Sequence, residues 1–374
     1  MVEMRLHDCL VFLGSLLAFL LMCCDKNEPL CGNGKLDEGE ECDGEYLQGA
    51  TCASLGMGFA EGELSCTECR YDTSGCFNCG DGVCEPAEGA RTCPQDCKAV
   101  QVSTSASASC AVLVDGTVRC WGSAMDWDGD HKRDFTVVPQ VFPGLSDVVD
   151  MAVRQSNGLA VVGEGDLLGW SNSDMQNPFT GGMDVDRGQV VNIMGVSDVA
   201  DVEIGALDFC MLIGDGTVQC TDWLGAGLLG NGTFDSSLTP VKVPDIQNAV
   251  SMDCGGFSVC VVVISGDVHC WGSIQYPSIG ADNINIPYKI QEITDARVVT
   301  AGYCHFCAAL ADGTVWCWGC NRYGQLGSGT TENNPTPSKV AGLEEVVSLE
   351  AGSENTCALR EDGSVVCWGY NKYG

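Results

Sequence analysis

One short pattern of residues recurs about every fifty residues along most of this 374-residue chain. In its clearest form, CAALADGTVWCWG, two cysteines stand ten residues apart on either side of an Asp-Gly pair. Copies begin at Cys110, Cys210, Cys260, Cys307 and Cys357, and a worn copy without the cysteines runs from Leu159 to Trp170. The six starts are 49, 51, 50, 47 and 50 residues apart. Such a period predicts a repeat architecture.

Each copy has the sequence pattern of a β-hairpin, because apolar residues lead into a Gly-containing turn and Val, Trp or Cys follow it. A further apolar segment precedes each hairpin, as in GLEEVVSLEAG, and another segment follows it and ends near prolines, as in NNPTPSKVAGL. Three or four short strands per fifty residues, with no helical periodicity, favour an all-β fold of the β-propeller class over a β-sandwich. We therefore predict propeller blades over residues 99–374.

The paired cysteines are predicted to form disulfides across the hairpins. If residues 311–313 form a three-residue loop, Cys307 lies opposite Cys317 at a distance that a disulfide can span. The worn copy supports bonding, because Leu159 and Gly169 replace both cysteines together. Small buried cysteines, the alternative, would be lost one at a time. The same register predicts the pairs Cys110 with Cys120, Cys210 with Cys220, Cys260 with Cys270, Cys307 with Cys317 and Cys357 with Cys367.

Three more cysteines lie within the repeats. Cys304 and Cys320 extend the register of one hairpin outward by three residues on each side, so we predict a second bridge in that repeat. Cys254 stands where sister repeats have Ala301 and Ala351, so we expect it to be a small buried residue with a free thiol.

The stretches from Ala301 to Gly329 and from Ala351 to Gly374 resemble the regulator of chromosome condensation repeats, whose pattern is AG-x-x-x-x-CAL-x-x-DG-x-V-x-CWG-x-N-x-x-GQLG-x-G. The likeness is recognisable in three more copies and weak from 150 to 170. It implies a seven-bladed ring, and two precedents that act by protein–protein contact: exchange factors for small GTPases and a secreted inhibitor of β-lactamase. Four tryptophans would then pack between blades rather than stack on a ligand: Trp121, Trp271, Trp318 and Trp368.

The repeats are expected to be incomplete at the C-terminus. From residue 99 onward there is room for about five and a half units of this length. The chain also stops at WGYNKYG, where an earlier copy continues into QLGSG. We therefore predict a propeller over 99–374 that is truncated at its C-terminus.

Residues 1–24 have the features of an export signal: Arg5 in a short first region, then an apolar run from Cys9 to Met22 that is short for a membrane span. The last four residues of the segment, LMCC, resemble a bacterial lipobox, which makes Cys24 the predicted lipidation site. Plain secretion is the alternative, because Met22 and the weakly basic first region depart from that pattern. We expect a secreted or cell-envelope protein, an outer-membrane or surface lipoprotein of a bacterium, that meets the membrane only through its lipid anchor.

Residues 25–98 form a second module in which disulfides are expected to replace a hydrophobic core. Its two stretches resemble the small cysteine-rich repeats of secreted and surface proteins of myxobacteria, which implies a stalk. A zinc site at Cys66-x-x-Cys69 is an alternative, although no second pair stands at the usual spacing. Spacing does not determine the pairing of the ten cysteines, which are Cys31, Cys42, Cys52, Cys66, Cys69, Cys76, Cys79, Cys84, Cys93 and Cys97.

Charge and cysteine content exclude several function classes. With 18 basic and 51 acidic residues the net charge is −33, a field that repels nucleic acid and anionic membrane surfaces. Chromatin binding and nuclear exchange-factor activity are therefore not expected, although the resemblance includes them. The 26 cysteines fit an oxidising compartment.

One acidic loop, DWDGDHKRD, offers oxygen ligands at alternate positions, as calcium prefers. It lacks the glycine and the bidentate glutamate of an EF-hand loop, so a solvated acidic loop is the alternative interpretation. The candidate calcium ligands are Asp126, Asp128, Asp130 and Asp134, and no other cofactor is predicted.

No catalytic motif stands out, and we name no catalytic residue. The sequence favours a non-enzymatic binding scaffold, in which a disulfide-rich stalk presents propeller loops to a protein or glycan partner. One alternative is a lyase or hydrolase with an acidic central site, which predicts carboxyl groups with shifted pKa values converging on the channel. Another is a structural envelope or adhesion module stabilised by calcium.

Overall fold

The structure is a computed structural model that describes residues 41–42, 47, 50–55, 61–62, 64–67, 70–72, 76–77, 97–105, 108–125, 134–154, 157–171, 189–206, 208–272 and 284–372. The chain separates into two units, one of residues 1–78 with 85–87 and the other of residues 79–84 with 88–374. Within the described ranges, no helix has both the length and the apolar character needed to cross a bilayer.

The first unit contains short elements and a disulfide. A 3-10 helix spans Cys52–Leu55, and four strands pair in two small antiparallel sheets, β1 with β4 and β2 with β3. The strands are β1 Glu61–Gly62, β2 Ser65–Thr67, β3 Arg70–Asp72 and β4 Cys76–Phe77. Cys66 is bonded to Cys42, so the alternative zinc site at Cys66 and Cys69 is wrong, because a bonded sulfur is not a thiolate ligand.

The second unit is a propeller, in which six antiparallel sheets follow one another along the described chain. Sheet 1 contains β5 Ala99–Thr104, β6 Ala108–Leu113, β7 Val118–Met125 and β8 Asp134–Val141. Sheet 2 contains β9 Val148–Arg154, β10 Asn157–Val162, β11 Asp166–Ser171 and β12 Val191–Asn192. Sheet 3 contains β13 Val199–Ile204, β14 Phe209–Ile213, β15 Val218–Asp222 and β16 Ser237–Lys242.

Sheet 4 contains β17 Ala249–Cys254, β18 Ser258–Val263, β19 Val268–Gly272 and β20 Ile284–Lys289. Sheet 5 contains β21 Ala296–Ala301, β22 His305–Leu310, β23 Val315–Gly319 and β24 Asn334–Lys339. Sheet 6 contains three described strands, β25 Val346–Ala351, β26 Asn355–Arg360 and β27 Val365–Gly369. In every sheet the strands are hydrogen-bonded in chain order, so the all-β propeller prediction is confirmed.

The glycine-containing turn of each repeat forms the predicted three-residue hairpin loop. In sheet 5, Gly313 has φ of 77°, and its N–H donates to the Leu310 carbonyl at 2.9 Å. The Asp312 carboxylate accepts hydrogen bonds from the N–H and the hydroxyl of Thr314, at 2.9 and 2.7 Å. Cys307 therefore lies opposite Cys317, and in the worn copy Leu159 lies opposite Gly169 at the same register.

In sheets 1 to 5 the last glycine of the hairpin turn also lies against the connection that leads to the next sheet. The residue before each following inner strand is left-handed, for example Asn248 with φ of 55°. A Cβ on Gly216 would lie 2.6 Å from the Asn248 Cα, whereas a Cβ on Gly363 in sheet 6 would meet nothing within 4 Å. Close backbone approach thus requires glycine at position 216, whereas at position 363 only the left-handed conformation of the turn favours glycine.

We predict that Gly216→Ala lowers the free energy of unfolding by about 2 kcal/mol or more, because left-handed strain adds to the clash with Asn248. The control is Gly363→Ala, whose φ of 81° is similar but whose surroundings are open, so only the left-handed cost of about 1 kcal/mol is expected. Urea unfolding of both variants measures the difference. Equal losses would mean that the contact between turn and connection is not tight.

The hydrophobic cores lie between neighbouring sheets. One cluster combines Cys210, Val218 and Leu228 of sheet 3 with Trp271 and Val259 of sheet 4, all buried. The next cluster repeats the arrangement between sheets 4 and 5 and contains the fully buried Trp318. Trp271 and Trp318 therefore pack between sheets, as the resemblance implies, and the partly buried Trp368 packs against the cluster between sheets 5 and 6. Trp121 is only partly buried and does not belong to these clusters. Each sheet is thus stabilised mainly by its neighbours.

Candidate binding site at the central channel

The first strand of every sheet faces a common central cavity of about 430 Å³, which we call the channel. Each of these strands is an edge strand, and such strands leave backbone N–H groups without a ladder partner. Polar side chains of one sheet accept hydrogen bonds from these groups in the next sheet. The donor and acceptor pairs are Val153 N to Ser103, Val202 N to Asp150, Ala301 N to Asp253 and Ala351 N to Thr300, at 2.7–2.9 Å.

Five carboxyl groups gather on these inner strands: Asp150, Asp201, Glu203, Asp253 and Glu350. Glu203, Asp253 and Glu350 line the channel itself. Arg154 also lines it and donates to the Ile204 carbonyl at 3.3 Å. Among the described residues of the inner strands the channel is therefore strongly acidic, with Arg154 as a partial counter-charge.

Burial and repulsion between carboxylates raise the pKa values of Asp201, Glu203 and Glu350. Burial is the largest cause for Asp201, followed by the charge of Asp150 and a hydrogen bond to it, and its pKa lies well above the usual range. Burial and the charge of Asp253 raise the pKa of Glu203 in the same way. Burial, then Asp253, raises the pKa of Glu350 to about 7.

Asp253 differs from the neighbouring acids because several groups of the protein donate hydrogen bonds to its carboxylate. Burial raises its pKa, but hydrogen bonds from Thr300 and from the backbone N–H groups of Ala301 and Cys254 oppose that effect, as does the charge of Arg154. The Thr300 hydroxyl donates to the carboxylate at 2.7 Å. Asp253 is therefore the best-stabilised carboxylate of the channel and also connects sheets 4 and 5.

These pKa shifts make the free energy of unfolding of the propeller depend on pH. The folded chain holds protons on Glu203, Asp201 and Glu350 at pH values where the unfolded chain has released them. The contribution of these three groups to the free energy of unfolding is therefore most favourable at low pH. It falls as the pH rises from about 4.5 through about 7, the pKa of Glu350, and further above it.

We predict that Glu203→Gln raises the free energy of unfolding at pH 8 by roughly 1–3 kcal/mol, because the neutral amide removes the cost of burying an acid that is ionised in the unfolded chain. The gain should shrink steadily as the pH is lowered to 5, where the wild-type side chain is protonated. Denaturant unfolding from pH 5 to pH 9 measures it, with Glu361→Gln in the exposed hairpin turn of sheet 6 as the control. A constant difference at all pH values would contradict the shift.

The mouth of the channel is formed by the turns that follow the inner strands, and it carries exposed aromatic rings. Tyr303 lines the channel and is 41% exposed, and its ring meets the edge of Phe257 at a centroid distance of 6.3 Å. The loops after the third strands lie at the same end of the antiparallel sheets. There Tyr323 contacts Tyr370 at 4.7 Å, and Arg322 lies over the Tyr323 ring at 5.5 Å.

We call this end of the propeller the loop face. In sheet 5, buried Asn321 organises the loop 320–333: its amide nitrogen donates to Ser328 Oγ and to the carbonyls of Thr330 and Glu332 at 3.0–3.2 Å. Its amide oxygen accepts from the Leu326 N–H at 3.0 Å. The loop is thus a fixed surface, which lowers the entropy cost of binding a partner.

The structure bonds all six cysteine pairs named for the repeats. They are Cys110–Cys120, Cys210–Cys220, Cys260–Cys270, Cys304–Cys320, Cys307–Cys317 and Cys357–Cys367. Among the described residues Cys254 is a buried free thiol, and burial raises its pKa well above the usual range, so it is unreactive.

The other sequence-predicted sites fall outside what the structure describes. Cys24, Asp126, Asp128 and Asp130 lie outside the described residues, and Asp134 begins β8 without a described side chain. In the described part of the chain, no group of three or more His, Cys, Asp or Glu side chains is arranged to hold a metal ion.

Sequence reasoning did not identify the channel carboxyls. When the inner strands are aligned, Asp150 and Asp201 share one position, and Glu203, Asp253 and Glu350 share another. These shared positions in the aligned strands could have indicated that the acids form a cluster. The enzyme alternative predicts carboxyls with raised pKa values in the channel, and Glu203 and Glu350 have them, whereas Asp253 also has the structural role of connecting sheets 4 and 5.

Comparison with known proteins agrees with the fold. Residues 312–359 match the regulator of chromosome condensation (RCC1) repeat, and a second description of that repeat matches residues 297–325 and 346–374. The chain is similar to the human E3 ubiquitin-protein ligase HERC2, with 29% identity over 49% of this chain and 4% of the ligase. It is also similar to the ultraviolet-B receptor UVR8 of Arabidopsis thaliana, with 31% identity over 49% of this chain and 43% of the receptor.

The chain therefore spans less than half the length of either relative. Among solved structures, Prp20p of Saccharomyces cerevisiae, described with its binding to Gsp1p and histones, superposes with a TM-score of 0.61. The superposition covers 84% of this chain and 82% of Prp20p at 16% identity, so this likeness concerns the fold alone.

Proposed function

Because the propeller of this chain belongs to the RCC1-repeat family, we propose that it is a binding scaffold that recognises a protein partner through its loop face. The observation that carries the proposal is the set of partly exposed aromatic residues there, Tyr303, Tyr323 and Tyr370 with Arg322. Tyrosine and arginine are enriched in the energetic centres of protein interfaces. Tyrosine buries a large area with few rotatable bonds, and the planar guanidinium of arginine donates several directed hydrogen bonds. Prp20p, which shares this fold, binds Gsp1p and histones, so the fold is able to present a protein-binding surface.

The partner is expected to present a basic surface. The net charge of −33 gives the protein a negative potential, which we expect to extend over the loop face. Such a field speeds association with positively charged proteins and weakens with added salt. Nucleic acid is disfavoured by the same field, so we do not propose chromatin binding.

The test is a comparison of three immobilised full-length chains: wild type, a loop-face variant (Tyr303→Ala, Tyr323→Ala) and a control on the opposite face (Asp115→Asn, Asp215→Asn). Proteins from the source organism that bind wild type and the control, but are lost from the loop-face variant, identify the partner. We expect its affinity to fall at least 100-fold in the variant by calorimetry. Equal affinity for all three chains would overturn the loop face as the site.

We further propose that the chain works outside the cytoplasm, anchored through a lipid on Cys24 or secreted, and that residues 25–98 act as its stalk. The six bridges of the repeats support an oxidising compartment. Metabolic labelling with a fatty acid, compared between wild type and Cys24→Ala, tests the anchor. Label on both chains or on neither would exclude lipidation at Cys24.

A second candidate function is a hydrolase or lyase that uses the channel acids, favoured by the raised pKa values of Glu203 and Glu350. A carboxyl group that keeps its proton near neutral pH can act as a general acid. This candidate predicts turnover of a channel-sized substrate that is abolished by both Glu203→Gln and Glu350→Gln. If the partner found above binds normally to these two variants and no turnover is detected, the scaffold function alone stands.

A further inference from the structure

We propose that the Cys304–Cys320 disulfide is a redox-sensitive switch at the channel mouth, which a dithiol reductant opens while the propeller stays folded. Cys304 lies in the turn after β21, and Cys320 follows β23, with their Cα atoms 5.5 Å apart. The bridge ties the mouth turn of sheet 5 to the start of the loop 320–333.

The bridge is not needed to form this turn. In sheet 5 the N–H of Cys320 donates to the carbonyl of Cys304 at 2.9 Å. At the matching positions of sheet 6, the N–H of Tyr370 makes the same bond to the carbonyl of Glu354, also at 2.9 Å, without any cysteine. Sheet 5 thus carries a covalent tie that a sister sheet omits, and its loss is expected to loosen the turn rather than to unfold the sheet.

A reductant can reach this bridge. Cys304 is partly exposed at the mouth, whereas Cys307 and Cys317 of the same sheet are fully buried. The hairpin bridges of sheets 1, 3 and 4 are equally buried, with every cysteine at most 1% exposed. Thiol–disulfide exchange requires direct access to a sulfur atom, so those bridges react only when the sheets open.

Opening the bridge would act on the residues that form the loop face. Tyr303, next to Cys304, lines the channel, and its N–H donates to the Ser353 carbonyl of the next sheet at 3.1 Å. On the other side, Cys320 is followed by Asn321, whose hydrogen bonds organise the loop 320–333. Reduction would therefore uncouple the mouth turn from the loop and increase the mobility of both.

The reaction balances as ordinary thiol–disulfide exchange. A thiolate of the dithiol attacks one sulfur of the bridge, the S–S bond breaks, and a mixed disulfide forms. The second thiol of the reductant then displaces the protein sulfur. The reductant ends as a cyclic disulfide, having supplied two electrons and two protons, and Cys304 and Cys320 end as thiols.

The test titrates the full-length chain with dithiothreitol in native buffer, followed by alkylation and peptide mapping. We expect Cys304 and Cys320 to be labelled at least ten times faster than Cys307 and Cys317. Proteolysis within the loop 320–333 should rise at least fivefold over the same range, while the far-ultraviolet circular dichroism stays unchanged. Simultaneous labelling of all four cysteines, or unchanged proteolysis after selective reduction, would overturn the proposal.

A matched pair of variants separates the switch from disulfide loss in general. Cys304→Ser with Cys320→Ser should show the fast loop proteolysis without reductant. Cys357→Ser with Cys367→Ser, which removes the hairpin bridge of sheet 6 with its exposed Cys367, should leave loop proteolysis at the wild-type rate. Equal proteolysis of the two double variants would contradict a specific role for Cys304 and Cys320. None of these measurements needs a partner.

Discussion

Replacing Trp271 by alanine is expected to lower the free energy of unfolding by about 3–5 kcal/mol, the largest effect of any single substitution considered in the propeller. The indole is fully buried between sheets 3 and 4, and its Nε1 donates to the Leu228 carbonyl at 2.8 Å. Alanine leaves a cavity in that core and a buried carbonyl without its donor. Urea unfolding, followed by circular dichroism, measures the loss.

Trp368→Ala is the matched control, because Trp368 makes the same hydrogen bond to the Gln325 carbonyl at 2.8 Å but is only partly buried. Its loss should be smaller by at least 1 kcal/mol, since less apolar area leaves water. If both substitutions cost the same, packing between sheets would not be the main source of stability. Hydrogen bonds and disulfides inside each sheet would then have to supply most of the stability.

Removal of the hairpin bridge of sheet 4, by Cys260→Ala with Cys270→Ala, is expected to lower the free energy of unfolding by about 4 kcal/mol. Loop-closure entropy accounts for about 3 kcal/mol of this, because the bridge closes a short loop. The rest comes from packing, since both cysteines are at most 1% exposed. Equilibrium unfolding in urea without reductant measures it.

The control is Cys357→Ala with Cys367→Ala. This bridge has the same sequence separation of 10, but Cys367 is exposed. The entropic part is therefore matched, and we expect a loss of only about 2–3 kcal/mol. A larger loss in sheet 6 than in sheet 4 would mean that packing of the sulfur atoms does not contribute.

The repeat made most of the fold predictable. The hairpin register follows from the Asp-Gly turn, because a three-residue loop with a left-handed glycine fixes which residues face each other. The segment preceding each hairpin became the inner strand, as in Val346–Ala351 of sheet 6. The worn copy still forms a hairpin, since Leu159 and Gly169 keep the register without a bridge.

The channel could not be predicted from any single repeat. Asp201 and Glu203 read as ordinary exposed acids of an alternating strand, and only the arrangement of several sheets brings them near Asp253 and Glu350. Their pKa shifts arise from that convergence, which lies in tertiary structure rather than in local pattern. The aromatic contacts of the loop face, such as Tyr323 with Tyr370, join residues of different repeats for the same reason.

Peptide mapping shows directly whether the repeats are bridged in the living cell, if the protein is purified from its source without reductant and its free thiols are alkylated before and after denaturation. We expect the six bridges of the repeats to be in place and the buried Cys254 thiol to be alkylated only after the chain is denatured. That result would support a stapled propeller that works in an oxidising compartment. Alkylated cysteines at the hairpin positions would contradict it, because the repeats would then be reduced in the living cell.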